Sequence, residues 1–561
     1  MSRVMLLLSY MLFALASTAV AKNDKEEFAL PFDFPVLFSG NFAELRSNHF
    51  HGGVDFKTQG VTGKPIHAPA NGYVSRVTVS PGGYGNALYV THYNGYTTVY
   101  GHLDKFMPEI ERLVRQRQYR DEVFAVDISF AQDEHPVQRG DIIALSGNTG
   151  YSFGPHLHFE IRETESSELV NPLLFYKKYV SDSKPPKATA VTIYPRPGVG
   201  AVNGKAAKIM RRISGNTVND TLCVWGEVGF AVKALDYMDN TSNNFGIYRT
   251  ELFVDDSLLF SCTMDRVAFS ENRLINAWVD YEAYYLHGEW FMRSHLLDNN
   301  PLRLLSVNDN RGWLRVDEER LYKVKYRLWD MHGNVSTYTF VVKGKRCDLP
   351  HINSAASQYF CWDVDNELRD LGMRLKIPAG ELFGDATLRV ERTEQPGALS
   401  DRYALNASAT PLWNGCELSI RMKQLPPAEL IDKCYIRRLR GKGGHGVGGK
   451  YKDGLMVAKI TSLGCYEVAV DTVPPVVKPV NERNWRKSGQ LLFYISDSET
   501  GIASYKGYID GEFKLFKFSS KNARLACDLR AEGVTRGTHR LRLSVTDGAG
   551  NETVVEKVFT Y

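Results

Sequence analysis

Short runs in which apolar and polar residues alternate dominate the first third of the chain. A period of two is typical of β-strands that bury one face, and the glycine, proline and asparagine residues between the runs are typical of turns. The pattern therefore predicts short antiparallel strands joined by turns. The runs that show it are residues 65–77, 87–93, 96–100 and 137–145.

One segment of this region has helical spacing instead. Residues 106–137 form an insertion between the predicted strands, and Pro108 stands where a helix would begin. Ile110 and Val114 follow at helical spacing, with charged residues between them. The segment predicts one amphipathic helix that ends near residue 119 and either covers the edge of a groove or lies on the surface.

Alternation continues to the C-terminus, where two stretches repeat a pattern. Residues 232–256 parallel residues 494–511, and the turn WDMHGN at 329–334 parallels TDGAGN at 546–551. Repeated strand-rich units with Asp, Gly and Asn turns are typical of immunoglobulin-like (Ig-like) sandwiches. The repeat predicts two such sandwiches, separated by another β-rich unit.

The length of 561 residues exceeds what one hydrophobic core supports. The predicted fold class is mainly β, with an antiparallel β first domain followed by about three β-sandwich-like domains. Proline-containing linkers at 183–186 and 471–475 mark two of the boundaries. In chain order the predicted parts are residues 1–21, 22–183, 184–346, 347–471 and 472–561, of which the third and the fifth are the Ig-like sandwiches.

The N-terminus has the pattern of a secretory signal peptide. Arg3 is followed by an apolar run at 4–16, by small residues up to Ala21 and by a charged stretch from Lys22. We expect cleavage near Lys22, with a retained anchor as the alternative, and no later apolar run of about 18 residues predicts a membrane span. The chain is therefore expected to cross the inner membrane and to reside in the periplasm or cell envelope.

Composition narrows the possible partners. Hydrophobic residues make up 43% and charged residues 24%, and the net charge of +4 is small for this length. Because nucleic-acid-binding domains usually concentrate a basic face, we expect no nucleic-acid partner.

The eight cysteines begin at Cys223, so the first domain has neither a disulfide nor a thiolate metal site. Their wide spacing leaves open both disulfides of unassigned pairing and buried free thiols.

The stretch GPHLHFE at 154–160 carries the strongest chemical signal. On a strand, residues i and i+2 project from the same face, so His156 and His158 share one space while Leu157 and Phe159 point to the other side. Imidazole is the commonest protein metal ligand and titrates nearest neutrality. The pair therefore suits a transition metal and a proton-transfer partner.

Two upstream segments supply further candidates. His51 and Asp55 have the i, i+4 spacing of a helical metal site, but the Gly-Gly pair between them favours a tight loop that enters a strand. One carboxylate among imidazoles suits Zn²⁺. His102, which directly follows the predicted strand ending at Gly101, is a third candidate.

Three segments together resemble the lysostaphin/LytM-type zinc metalloendopeptidases in content, order and spacing. They are HGGVD at 51–55, YGHL at 100–103, and SGNTG at 146–150 with GPHLHFE after it. The resemblance covers roughly residues 36–175, about a quarter of the chain. It implies the duplicated antiparallel β fold of that family, the duplicated hybrid motif.

Carried over residue by residue, the resemblance implies zinc bound by His51, Asp55 and His158. His102 and His156 would flank the attacking water as the catalytic residues, and which of them is the general base stays open. Four other histidines nearby are expected on the surface or in packing contacts, namely His49, His67, His92 and His135. Arg46 and Asn48 are expected in a solvated loop, with orientation of the substrate as the alternative.

The resemblance implies a secreted zinc metalloendopeptidase that hydrolyses peptide bonds in peptidoglycan stem peptides or cross-links during cell-wall remodelling. The alternative is a non-catalytic cell-wall-binding or hydrolase-activating scaffold, because some relatives of this family have lost metal ligands. This chain keeps all five positions, which favours an enzyme. A peptidase of envelope proteins is a third hypothesis. The bond that is cleaved stays open, and the β domains offer surfaces for envelope protein partners.

Overall fold

A computed structural model describes residues 28–350, 358–405, 409–441 and 443–561. The predicted signal peptide at 1–21 lies outside these residues. Strands account for 49% of the structure and helices for 10%, which confirms the mainly β fold class. Within the described ranges, no helix is both long enough and apolar enough to cross a membrane.

The alternating runs of the first unit form the predicted antiparallel sheet. Across this sheet the main strands are, in order, Phe38–Gly40, Val54–Lys57, His156–Glu163, Tyr96–Gly101, Asn86–His92, Gly72–Val79 and Val126–Ser129. A smaller sheet joins Pro65–His67, Ile142–Leu145 and Lys105–Phe106. Shorter strands of the unit are Leu45–Arg46, His49–Phe50, Pro136–Val137 and Leu169–Val170.

The helix predicted in the insertion is confirmed and spans Pro108–Asp121. Ile110 and Val114 are buried in the core of the first unit, so the helix is amphipathic as expected. Two short helical segments follow the sheet, Leu173–Tyr176 and the 3-10 turn Lys177–Tyr179.

Alternation along the strand His156–Glu163 separates the core from the site. Leu157 and Phe159 are fully buried, and the ring of Phe159 lies 5.7 Å from that of Phe56 and 5.4 Å from that of Tyr100. Because successive side chains on a strand point to opposite faces, the two histidines of this strand lie on the other side. This confirms the face assignment made from the spacing.

The remaining units are built from longer or more numerous strands. Those of the second unit are Lys187–Val202, Ile209–Arg212, Leu222–Tyr237, Asn244–Phe245, Arg249–Val254, Ser257–Thr263, Arg266–Val267, Met292–Arg293, Leu305–Val307, Leu314–Val316, Leu321–Trp329 and Val335–Gly344. Its helical segments are Phe269–Leu274, Ile275–Trp278 and Tyr281–His287.

The third unit has the strands Gln358–Phe360, Asn366–Asp370, Met373–Ile377, Ala386–Leu388, Val390–Thr393, Arg402–Leu405, Pro411–Arg421, Cys434–Arg440, Gly443–Gly446, Lys450–Lys452, Leu455–Ser462 and Cys465–Val470, and the 3-10 helix Ala428–Lys433. The last unit has the strands Val476–Pro479, Gln490–Ser496, Ile502–Ile509, Glu512–Lys514, Lys517–Ser519, Arg524–Asp528, Thr538–Asp547 and Glu552–Thr560. Its helical segments are Glu482–Asn484 and Trp485–Ser488.

The loop before His51 is one of the places where the cores of the first two units meet. The hydrophobic cluster of the second unit takes up Phe42, Ala43 and Phe50 from the first. Phe50 is 1% exposed, and its ring lies 5.9 Å from that of Trp278. The loop that leads to His51 is therefore anchored in the neighbouring unit. The domain boundaries and the Ig-like character of two units stay predictions.

The last unit packs against the first. Arg115, on the helix, donates to Glu532 at 3.0 Å. Nζ of Lys521 donates to the backbone carbonyls of Asn148 and Ser152 at 2.6 and 3.0 Å. The contacts of Lys521 reach the loop that precedes the strand His156–Glu163.

All eight cysteines are free in the structure. Four of them, Cys262, Cys416, Cys434 and Cys527, are buried. Of the two alternatives that the spacing left open, the structure therefore shows free thiols.

Candidate active site

Three neighbouring strands bring the predicted site residues together. His158 lies at the centre of this arrangement, because it pairs with Asp55 on one neighbouring strand and with Gly101 on the other. His51 stands in the loop before the strand of Asp55, and His102 directly follows Gly101. All five predicted residues meet on one side of the sheet.

One atom from each of His51, Asp55 and His158 points into a shared centre. Nε2 of His51 lies 3.1 Å from Oδ1 of Asp55 and 3.0 Å from Nδ1 of His158. That Nδ1 is in turn 3.0 Å from Oδ1 of Asp55. All three residues are buried.

The other ring nitrogen of each histidine is engaged outside the centre. Nδ1 of His51 donates to the carbonyl of Asn41 at 2.7 Å, and Nε2 of His158 donates to Oε1 of Glu160 at 2.9 Å. With the protons directed outward, the nitrogens that face the centre offer lone pairs.

This donor set fits zinc. Zn²⁺ prefers imidazole nitrogen and carboxylate oxygen, and tetrahedral coordination with bonds of about 2.1 Å separates neighbouring ligand atoms by about 3.4 Å. The observed separations of 3.0 to 3.1 Å are close to that value. The residues present are therefore suited to hold the metal.

Burial and hydrogen bonding set the charges of the centre. Burial lowers the pKa of His51 to about 4. Burial also acts to lower the pKa of His158, but hydrogen bonds to Asp55 and Glu160 outweigh it and raise that pKa to about 9. Binding of a metal at Nδ1 of His158 would therefore release a proton. Burial alone would raise the pKa of Asp55, yet the two imidazoles hold it well below its usual range. The carboxylate at the centre is therefore ionised.

The two remaining histidines face the same centre. Nδ1 of His156 donates to the carbonyl of Gly154, and Nδ1 of His102 donates to that of Thr149, each at 2.8 Å. Their ring centroids are 4.7 Å apart, and Nε2 of His156 is 3.6 Å from Oδ1 of Asp55. Burial and the neighbouring imidazoles lower the pKa of His102 to about 3. The Nε2 atoms are the ones left to exchange protons at the centre.

The glycine pair of HGGVD lets the His51 loop lie against the central strand. A Cβ atom at Gly53 would be 2.0 Å from the backbone carbonyl oxygen of Phe159, and one at Gly52 would be 2.8 Å from Oε1 of Glu160. Side chains at these positions would push the loop and the strand apart.

Two residues that contact the candidate metal ligands, Glu160 and Arg46, were not predicted to belong to the site. Glu160 accepts from the hydroxyl of Tyr84 at 2.5 Å and from Nε of Arg162 at 2.8 Å, in addition to His158. Arg46, expected in a solvated loop, instead donates from Nη2 to Oδ2 of Asp55 at 2.8 Å. A glutamate on a strand whose neighbours are apolar was the one signal in the sequence that pointed to a buried partner.

The antiparallel β fold thus carries a His, Asp, His donor set with two flanking imidazoles, which is the arrangement of a candidate metal centre. A model of peptidase family M23 matches residues 49–119 and 124–172, and a model of the Zu5-like domain matches residues 357–471. Lipoprotein NlpD of Yersinia enterocolitica is 35% identical over 116 residues, which are 21% of this chain and 93% of that protein. The chain therefore belongs to peptidase family M23.

Two further relatives match over a similar length. An uncharacterized metalloprotease of Haemophilus influenzae is 37% identical over 123 residues, which are 22% of this chain and 20% of that protein. The peptidoglycan DD-endopeptidase ShyB of Vibrio cholerae is 35% identical over 111 residues, which are 20% of each chain. The match thus spans about a fifth of the length of these two relatives.

Proposed function

We propose that the chain is an exported zinc metalloendopeptidase that hydrolyses peptide bonds in the stem peptides or cross-links of peptidoglycan. The observation that carries the proposal is the convergence of Nε2 of His51, Oδ1 of Asp55 and Nδ1 of His158 beside two further imidazoles. Membership of family M23 supports the reaction. The activity named for the Vibrio cholerae relative supports the substrate, and the signal-peptide pattern at 1–21 supports export to the periplasm or cell envelope.

His51, Asp55 and His158 hold the metal in this proposal. When bound, zinc supplies Lewis-acid chemistry that polarises a peptide carbonyl and makes water a nucleophile near neutral pH. Arg46 binds the outer oxygen of Asp55, and Glu160 fixes the ring orientation of His158. The ligands are thus held in place before the substrate arrives, which avoids reorganisation during the reaction.

His102 and His156 carry the proton transfers. Because Nδ1 of each ring is committed to a backbone carbonyl, Nε2 is the atom that takes the proton from the attacking water and returns it to the leaving amine. General acid–base catalysis of this kind contributes about 10²- to 10⁴-fold.

The loop before His156 carries two exposed aromatic rings. Tyr151 and Phe153 are exposed on it, and Lys521 of the last unit holds the same loop through the carbonyl of Ser152 at 3.0 Å. Aromatic rings supply a large contact area at low entropic cost. We assign them to packing against the peptide substrate.

Digestion of purified peptidoglycan by the full chain tests the proposal. New amino groups are quantified, the fragments are identified by mass spectrometry, and the zinc content is measured. We expect close to one zinc per chain and cleavage of peptide bonds. His158→Ala should lose metal and activity together, whereas His67→Ala, a matched control outside the centre, should retain both.

Two other outcomes would support the competing hypotheses. If zinc-loaded wild-type protein cleaves neither peptidoglycan nor isolated cross-linked peptides, a wall-binding or hydrolase-activating scaffold replaces the enzyme. If a panel of envelope proteins is cleaved and peptidoglycan is not, the enzyme is a protein-directed peptidase.

A further inference from the structure

A second cluster of carboxylates lies where the first unit meets the second. Asp182 belongs to the linker between them, Asp236 lies near the end of the strand Leu222–Tyr237, and Asp330 opens the WDMHGN turn. One carboxylate oxygen of each lies within 4.8 Å of the others. Asp236 and Asp330 are each 2% exposed, and the side chain of Asp182 is fully buried.

Two of these carboxylates have buried oxygens without a donor. Oδ1 of Asp236 and Oδ2 of Asp182 have no hydrogen-bond partner among the described residues. His332 donates from Nε2 to the carbonyl of Val180 at 2.8 Å, and its Nδ1, at 3.8 Å from Oδ2 of Asp182, lies beyond hydrogen-bond distance. Buried acceptors without donors are strongly unfavourable unless a proton or a cation compensates them.

Burial also disfavours the ionised forms of two of these carboxylates. Burial, together with the charges of Asp330 and Asp182, raises the pKa of Asp236 to about 8. Burial likewise raises the pKa of Asp182. A cation among the three carboxylates would favour their ionised forms and so oppose both shifts.

The chain contains a matched cluster at the junction before the last unit. Its members also have oxygens within 4.8 Å of one another, and they are Asp471, Asp497 and Asp547. The two junctions share one anchoring contact: Nδ2 of Asn334 donates to the carbonyl of Asp182, and Nδ2 of Asn551 donates to that of Asp471, each at 3.0 Å. The two copies of the internal repeat therefore make equivalent hydrogen bonds at their junctions.

The matched cluster is satisfied by the protein itself. Oδ2 of Asp471 accepts from the hydroxyl of Thr500 at 2.7 Å. Oδ1 of Asp497 accepts three backbone N–H groups, at 2.7 to 3.0 Å. The corresponding oxygens of Asp182 and Asp236 have no such donors. The same scaffold thus occurs twice: the first copy keeps the donors to Asp330 but lacks donors to Oδ2 of Asp182 and Oδ1 of Asp236.

We propose that Asp182, Asp236 and Asp330 bind one Ca²⁺ that fixes the first unit to the second. A donor set of carboxylates favours a hard cation. Ca²⁺ takes roughly six to eight oxygens at about 2.3 to 2.6 Å with mono- or bidentate carboxylates, so its ligands lie up to about 5 Å apart. Met238 and Met331, next to the ligands in sequence, pack in the core of the first unit. The ion would therefore hold the catalytic unit on its neighbour.

Calorimetric titration of CaCl₂ into the zinc-loaded full chain in calcium-free buffer tests the site. We expect one Ca²⁺ per chain and a rise in the thermal unfolding midpoint of roughly 5 °C at a hundredfold excess over Kd. Asp236→Asn and Asp182→Asn should each abolish binding and the rise. Asp497→Asn, the matched control at the other junction, should leave both unchanged.

Retained zinc content and a cooperative transition show that each variant is folded. The proposal is overturned if wild-type protein gives neither heat nor a shift at millimolar Ca²⁺, or if Asp236→Asn binds Ca²⁺ as wild type does. Mg²⁺ or Zn²⁺ binding at these residues in preference to Ca²⁺ also overturns it. Because the readout needs no hydrolysis, the result is independent of the proposed enzyme activity.

Discussion

Replacing Glu160 by glutamine exchanges one carboxylate oxygen for an amide at a fully buried position. Oε1 of the carboxylate accepts hydrogen bonds from His158 and Tyr84, and Oε2 accepts hydrogen bonds from Nε and Nη2 of Arg162. Glutamine retains one acceptor oxygen, so it cannot serve His158 and Arg162 together. Either the imidazole loses its orienting partner, or the guanidinium faces an NH₂ group.

Two magnitudes follow from this geometry. Loss of the partner that orients a metal-bound histidine typically costs about 10- to 100-fold in metal affinity, or about 1.4 to 2.8 kcal/mol. Breaking a buried ion pair costs about 3 to 5 kcal/mol of stability. We expect a loss of stability near the lower end of this range, since the side chain of Arg162 is 13% exposed and its guanidinium also lies over the ring of Phe269.

Competition with a chromophoric chelator measures the zinc affinity, and thermal unfolding measures the stability. Glu163→Gln is the matched control, because Glu163 lies on the same strand with a side chain 42% exposed and should change neither quantity. If Glu160→Gln binds zinc within threefold of wild type, the argument that Glu160 orients a metal ligand is refuted.

Other predictions concern the supports of the centre. Phe50→Ala, which removes a ring packed in the core of the second unit, should cost about 3 to 5 kcal/mol of stability in unfolding experiments. Arg46→Met should weaken zinc binding by about tenfold in the chelator assay, because Oδ2 of Asp55 loses its charged donor. Lys521→Ala should lower kcat/KM on peptidoglycan with zinc content unchanged, since it frees the loop at Ser152. Chelation of the metal should abolish hydrolysis, and zinc should restore it.

Rules that depend only on residues close in sequence were sufficient to predict most of the structure of the first unit. The two-residue spacing of His156 and His158 places both on one strand face, and the glycines before Asp55 exclude a helix. The structure shows both features, including the strand Val54–Lys57 that follows the loop. Each of these inferences depends on neighbours within a few residues, which is why the sequence contains enough information for them.

Contacts between distant segments could not be predicted in the same way. Arg46 lies in a polar stretch of sequence, and only the fold places it against Asp55. The same is true of Phe50, whose partner Trp278 belongs to another unit. Periodicity reports which face of an element is buried but not what covers it. Long-range partners therefore required the tertiary structure.

The zinc content and turnover of His156→Ala and His158→Ala, measured side by side, separate the roles of these two histidines. Both histidines stand on the same strand face, but His158 presents Nδ1 to the donor set while His156 lies beside it. We predict that His158→Ala loses zinc and peptidoglycan hydrolysis together, and that His156→Ala retains zinc and loses turnover. Loss of zinc from His156→Ala, or hydrolysis by zinc-free His158→Ala, would contradict the account.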